Sequence, residues 1–168
     1  KPQKTNMAGE EEQIIGQLLK YGEEIMEINK IYPYVSFVTK SGVIVARGYN
    51  REREDEDITQ QDAVVAIRCA QEALGVGELS RYTLYSLFEP TILGFDVALW
   101  AGIKRFVWCV NKTSLPDEYN KIHYGPLDYA ANHPGELFIN RGILESDGLK
   151  LIAKAKQNHY YCAEGYLT

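Results

Sequence analysis

The chain has 168 residues and a formal net charge of −5, from 23 acidic and 18 basic side chains. Its 45% hydrophobic and 24% charged residues exclude a disordered or low-complexity protein. The length fits one domain, 1–168, and a chain of about this size buries roughly 70% of its unfolded surface, so it needs no disulfide or metal to fold. The negative charge does not indicate a nucleic-acid partner, although a small local basic patch would still allow the protein to bind nucleic acid.

The cysteines favour a reducing compartment, and the hydropathy gives no sign of a membrane span. We therefore predict a cytoplasmic protein. The three cysteines, Cys69, Cys109 and Cys162, form an odd set without paired spacing. No apolar run approaches the roughly 18 residues of a membrane span. The first residues are polar and then acidic, unlike a signal or transit peptide, and 1–8 are predicted as a flexible tail.

The chain begins with the pattern of a helix followed by a β-hairpin. Apolar residues recur at helical spacing through 10–29, and Pro33 then prevents helical structure. A Ser-Gly turn separates two runs of β-branched residues, which predicts the antiparallel strands Tyr34–Lys40 and Val43–Tyr49.

A charged segment separates the hairpin from a second helix. The run 51–57 is typical of a solvated loop. Thr59 is predicted as the N-cap of the helix, with Asp62 at its third position in a capping box. Glycines after Leu74 end the apolar face.

The second half alternates strands and helices. The predicted elements are a strand Tyr82–Phe88, a helix from Pro90 and Thr91 through Trp100, a strand Arg105–Val110, a loop 111–135 with one helical turn near Leu127–Ala131, a strand Leu137–Asn140 and a helix Ser146–Gln157. This order predicts a three-layer α/β/α sandwich around one mixed sheet.

Four segments, in this order and spacing, carry a family resemblance. They are Gly48-Tyr49-Asn50-Arg51, Ala63-Val64-Val65-Ala66-Ile67-Arg68, Leu84-Tyr85-Ser86-Leu87-Phe88-Glu89-Pro90 and Trp100-Ala101-Gly102-Ile103-Lys104-Arg105-Phe106-Val107. The series resembles the zinc-dependent cytidine deaminase-like superfamily, in particular its tRNA-adenosine and guanine deaminase branch. The resemblance covers Tyr34 to Val110 and continues more weakly through 136–156.

The resemblance implies a site at the starts of two helices, where the family carries H-A-E and P-C-x-x-C. One His and two Cys there hold Zn²⁺, and the Glu moves protons while zinc hydroxide attacks the base. In this chain the His position holds Gln61, the Glu position Ala63, and the two Cys positions Thr91 and Gly94. None of these is a good zinc ligand. We therefore predict no metal, no cofactor and no catalytic residue of the family type.

The replacing side chains also have structural interpretations. Thr91 fits a helix N-cap, and Gln61 fits the former metal space with hydrogen bonds to backbone. Asp62, one residue from the Glu position, supplies a carboxylate without a His. Asn50 matches the family's substrate-contacting Asn and fits a turn-closing residue equally well, while Glu89 matches an orienting residue. We predict Asn50, Gln61 and Thr91 as ligand-binding residues.

Other metal-type side chains give weak signals. The histidines are His123, His133 and His159, all downstream of both helices. Only His159 and Cys162 have a spacing that suits a metal. Cys69 and Cys109 are predicted as buried thiols.

Functions of different classes remain open. The joint loss of four positions favours a non-catalytic deaminase-fold protein, acting as a partner or regulatory subunit or as a binder of nucleoside-type ligands. The alternatives are a nucleobase, nucleoside or tRNA deaminase with unrecognised ligands, and a zinc-free enzyme of other chemistry on this fold. The apolar third helix and the family predict a homodimer or a hetero-oligomer with an active deaminase. Restoring activity is expected to need four reversals together: Gln61→His, Ala63→Glu, Thr91→Cys and Gly94→Cys.

Overall fold

Strands and helices alternate along the chain in the computed structural model, which describes residues 7–115 and 124–162. In chain order the elements are α1 (Met7–Asn29), β1 (Val35–Lys40), β2 (Val43–Tyr49), α2 (Glu52–Asp55), α3 (Asp62–Leu74), β3 (Thr83–Phe88), α4 (Ile92–Trp100), β4 (Arg105–Val110), a 3₁₀ helix (Lys112–Ser114), α5 (Pro126–Asn132), β5 (Phe138–Arg141) and α6 (Glu145–Gln157).

The five strands form one mixed sheet in the order β2-β1-β3-β4-β5. β1 runs antiparallel to both β2 and β3, whereas β3, β4 and β5 are parallel. Strands β2 and β3 therefore point the same way, and the helices that follow them, α3 and α4, begin beside the same ends of the strands. In open α/β sheets this region, outside the carboxyl ends of the strands, is where binding sites form.

Each face of the sheet carries its own apolar core, because side chains alternate along a strand. Helices α1 and α6 cover one face, where Ile14, Leu18 and Ile152 pack on strand residues such as Phe37 and Leu87. Helices α3 and α4 cover the other face through buried residues that include Ile67, Phe95, Leu84 and Trp108. The predicted three-layer α/β/α sandwich around a mixed sheet is confirmed.

Local boundaries differ from prediction at the start of the chain and in the charged segment. Met7 and Ala8 belong to α1, so the predicted tail 1–8 is too long, and 1–6 lie outside the described residues. The charge run contains the short helix α2, in which the Arg51 guanidinium pairs with Asp55. This i,i+4 pair supports a helical turn where the sequence predicted only a loop.

The predicted N-cap of the second helix is wrong. Helix α3 begins at Asp62, with Gln61 as its N-cap, so Asp62 is the first helical residue rather than the third. The backbone N–H and the hydroxyl of Thr59 both donate to Asp57 Oδ1, at 2.8 and 2.7 Å. Asp57 thus closes a local turn, and this turn holds Thr59 outside the helix.

Two of the cysteines, one on strand β4 and one on helix α3, have different surroundings. Cys109 is buried in β4, as predicted, and burial raises the pKa of its thiol to about 12. Cys69 is exposed on α3, so its predicted burial is wrong, because the apolar face of α3 passes through Ala66 and Ala70 instead. Among the described residues, no helix combines the length and apolar character that crossing a membrane demands.

Candidate functional site

The starts of α3 and α4 lie side by side, and their N-cap residues contact each other. Thr91 caps α4: its hydroxyl oxygen accepts the N–H of Gly94 at 3.2 Å, as predicted. The Gln61 side chain caps nothing in α3. Instead, its Oε1 accepts a hydrogen bond from the Thr91 hydroxyl, so the predicted bond from Gln61 to backbone is replaced by a bond to a side chain.

Behind this hydrogen bond the two helices are in close contact. Ala63 is only 3% exposed, and Gly94 is buried. A Cβ built on Gly94 would lie 2.9 Å from Ala63 Cβ, which is closer than real Cβ contacts. The structure therefore brings together all four positions at which the resemblance places catalytic groups, and it packs them against one another.

The residues at these four positions do not fit a zinc ion. Zn²⁺ in proteins takes Cys sulfur, His nitrogen or carboxylate oxygen, and a catalytic site needs three such ligands. Positions 61, 91 and 94 supply an amide, a hydroxyl and no side chain. Across 7–115 and 124–162, no cluster of three or more His, Cys, Asp or Glu is placed to hold a metal ion. The absence of bound metal stays a prediction for the purified protein.

Of the downstream histidines, His133 is engaged within its own loop. His123 lies outside the described residues. His133 Nδ1 contacts the backbone of Gly135. The sulfur of Cys162 lies 3.4 Å from the Tyr34 hydroxyl. The pairing of His159 with Cys162 stays a prediction.

Asn50 stands at the end of β2, and its amide is engaged locally. Its Oδ1 accepts the N–H of Glu52 at 3.1 Å, and its Nδ2 donates to Glu52 Oε1 at 3.0 Å. Its own N–H donates to the carbonyl of Tyr34. These contacts match the turn-closing interpretation, while a role of Asn50, Gln61 and Thr91 in binding a ligand stays a prediction.

A buried polar network under the start of α3 was not predicted from the sequence. Ser36 donates to Asp62 Oδ2 at 2.5 Å, and the hydroxyls of Ser36 and Ser86 are 2.8 Å apart, both serines being fully buried. Burial raises the pKa of Asp62, although its bonds to Ser36 and to backbone N–H groups oppose the shift. The available signal was a single serine between apolar neighbours in each of two strands, at Val35–Lys40 and Thr83–Phe88.

Two further carboxylates border the site. Burial also raises the pKa of Glu52, and the nearby Asp62 and Asp57 add to the shift. Glu89 Oε2 accepts the N–H of Lys112 at 3.0 Å, so Glu89 holds the turn after β4. The site thus gathers three carboxyl groups, of which Asp62 and Glu52 have raised pKa values.

No family model matches the chain. It is 31% identical over 85 residues to guanine deaminase of Bacillus subtilis, covering 51% of this chain and 54% of that protein. It is 33% identical over 76 residues to tRNA-specific adenosine deaminase of Agrobacterium fabrum, covering 45% of this chain and 50% of that protein. The chain thus spans about half the length of these two relatives.

A solved structure shares the fold over most of both chains. It comes from a study of A-to-I editing by tRNA:A34 deaminases, and it superposes with a TM-score of 0.68 and 22% sequence identity. The match covers 82% of this chain and 96% of the other. The chain thus shares the fold of this deaminase structure and is similar in sequence to guanine and tRNA-specific adenosine deaminases, which agrees with its resemblance to the cytidine deaminase-like superfamily.

Proposed function

We propose that this chain is a deaminase-fold protein without deaminase activity that acts as a partner or regulatory subunit. The observation that carries the proposal is the hydrogen bond from Thr91 to Gln61, which joins two positions where the family has metal ligands. A zinc-dependent deaminase must activate water on the metal and move protons through a Glu. Here neither requirement has a side chain to meet it, because position 63 is an alanine as well.

The partner role is supported by the outer surface of α4. Trp100, the last residue of α4, is 84% exposed, and Leu93 and Val97 of the same helix are only partly buried. A large exposed aromatic beside other apolar side chains is typical of protein interfaces. We propose that this surface contacts a second copy of the chain or an active deaminase, and that the protein works in the cytoplasm.

An assay for ammonia release tests the proposal directly. Purified protein is incubated with guanine, adenosine, cytidine and tRNA, with and without a chelator, beside a no-protein control, and its zinc content is measured by elemental analysis. We expect no ammonia above the control and no stoichiometric zinc. Ammonia release that chelation abolishes would identify a deaminase with unrecognised ligands, and release that survives chelation would identify a zinc-free enzyme; either result rejects the proposal.

The partner surface is tested separately by light scattering. We expect a dimer at micromolar concentration, or a complex with an added deaminase, and loss of the association in Trp100→Ala. Lys150→Ala, at an exposed position of α6 on the opposite face of the sheet, is the matched control. A monomer that binds no deaminase contradicts the partner role without bearing on catalysis.

A further inference from the structure

Two independent contacts join the starts of α3 and α4. The first is polar: the Thr91 hydroxyl donates to Gln61 Oε1 and accepts the N–H of Gly94. Both hydrogen-bonding functions of this hydroxyl are therefore used within the site. The Gln61 oxygen therefore already accepts a hydrogen bond from within the protein.

The second contact is apolar and lies directly behind the first. Ala63 faces α4 at the point where Gly94 has no side chain, and a Cβ added there would approach Ala63 Cβ to 2.9 Å. Ala63 itself is 3% exposed and lies in the same apolar cluster as the fully buried Phe95 of α4. The position of the family's proton-moving Glu is therefore covered by protein.

We infer that Gln61, Ala63, Thr91 and Gly94 form a helix clamp, which ties α3 to α4 without a metal and covers the space that a nucleobase would need. The inference rests on the proposed function and deepens it. Of the roles that the sequence left open, partner subunit and nucleoside binder, the helix clamp supports the first. Contacts with other molecules then come from the surface of the protein rather than from its former site.

The helix clamp also changes the expectation for restoring the site. Gly94→Cys places a Cβ against Ala63, and Ala63→Glu enlarges the other side of the same contact. Both changes require the two helices to separate, and overpacking of a close contact is destabilising. The four reversals together are therefore expected to loosen the fold before they create a metal site.

Single glycine substitutions test the apolar contact. Gly94→Ala should lower the thermal midpoint of unfolding by about 4 °C, because the added methyl overpacks the contact with Ala63. Gly16→Ala in the middle of α1 is the matched control, since a Cβ there meets nothing within 4 Å. The control should leave the midpoint unchanged or raise it, because alanine favours helix. Equal midpoints for Gly94→Ala and the unmodified protein would overturn the inference.

A double-mutant cycle with Gln61→Ala and Thr91→Val tests the polar contact without added bulk. Each substitution removes the same hydrogen bond, so the double variant should lose little more stability than the worse single variant. Strictly additive losses would show that the two side chains are not coupled, which contradicts the helix clamp.

Zinc and nucleobase binding distinguish this inference from the proposed function. The variant Gln61→His/Thr91→Cys/Gly94→Cys is incubated with a zinc salt, and its metal content is measured. The unmodified protein is titrated with guanine and with adenosine by calorimetry. We expect no stoichiometric zinc and no binding heat. A folded variant with one zinc per chain, or saturable nucleobase binding, overturns the helix clamp, whereas only ammonia release by the unmodified protein overturns the absence of activity.

Discussion

Two carboxylates, at opposite ends of the strands, enter the interior, and different groups hold them. Glu11, at the start of α1, is 2% exposed and accepts from the Arg105 guanidinium and the Asn140 amide. Asp62, at the start of α3, is held by Ser36 and by backbone N–H groups. In the described parts of the chain, no Lys, Arg or His pairs with Asp62.

The comparison shows where a buried carboxylate stabilises the fold and where its charge is unfavourable. A buried carboxylate is stable when a cation and hydrogen-bond donors balance the loss of water. Glu11 meets this condition, and it joins α1 to β4 and β5. Asp62 does not meet the condition, because the donors that the described residues give it, Ser36 and backbone N–H groups, are neutral.

The largest effect is expected at the backbone contact beside Asp62. Gly48→Ala would place a Cβ 2.3 Å from the carbonyl oxygen of Asp62 and 2.4 Å from the nitrogen of Ala66. Backbone cannot yield as a flexible side chain does, so we expect a loss of about 3 kcal/mol in the free energy of unfolding. Urea denaturation measures it, with Gly16→Ala as control; a loss no larger than the control's would contradict the close approach of β2 to α3.

The next largest effect is expected at the paired carboxylate. Glu11→Gln removes the negative charge and leaves Arg105, 30% exposed in its side chain, without its ion-pair partner. Breaking a buried pair is costly, and the partial exposure of Arg105 reduces the loss to about 2 kcal/mol. Glu12→Gln, on the exposed side of the same helix, is the control in chemical denaturation. Similar stabilities for the two variants would remove the distinction between the carboxylates.

Ser36→Ala is expected to have a smaller effect at the other end of the strands. The substitution removes the hydroxyl that Asp62 accepts from and leaves Ser86 without its partner. Loss of a buried hydrogen bond to a carboxylate costs about 1.5 kcal/mol. Thermal unfolding of this variant beside Ser146→Ala, an exposed serine at the start of α6, gives the measurement. An unchanged midpoint would show that the network does not hold α3.

The smallest effect depends on pH. Folding raises the pKa of Asp62, so the folded state binds the proton more tightly than the unfolded chain does. This contribution is fully present below the unfolded pKa, near 3.9, and is lost as pH rises through the folded value. Asp62→Asn cannot titrate, and its amide oxygen still accepts from Ser36. We therefore expect its stability relative to the unmodified protein to rise from pH 4 to pH 7.

Stability curves at several pH values check this expectation, with Glu72→Gln, exposed on the same helix, as control. A relative stability of Asp62→Asn that falls toward neutral pH would place a stabilising charge at this position. Asp62 would then resemble Glu11, and the contrast between the two carboxylates would disappear.

Much of the fold was predictable because it follows from periodicity. Strand β4 runs from Arg105 to Val110 and β2 from Val43 to Tyr49, both as predicted. Thr91 was predicted as an N-cap because Pro90 and the apolar run after it mark a helix start. At α3 the same reasoning chose Thr59, since the competing bond from Asp57 depends on a turn whose shape no local pattern specifies.

The sequence by itself determined the alternation of strands and helices, the resemblance to the superfamily and the residue types at the four positions 61, 63, 91 and 94. These are properties of residue type and order, which need no knowledge of distances. Only the tertiary structure decided that Gln61 bonds to Thr91, that Ala63 fills the space beside Gly94, and that two serines from different strands meet under Asp62. These contacts join residues 26 to 50 positions apart, and they depend on how closely the helices approach each other and the sheet. Packing of the whole core sets that approach.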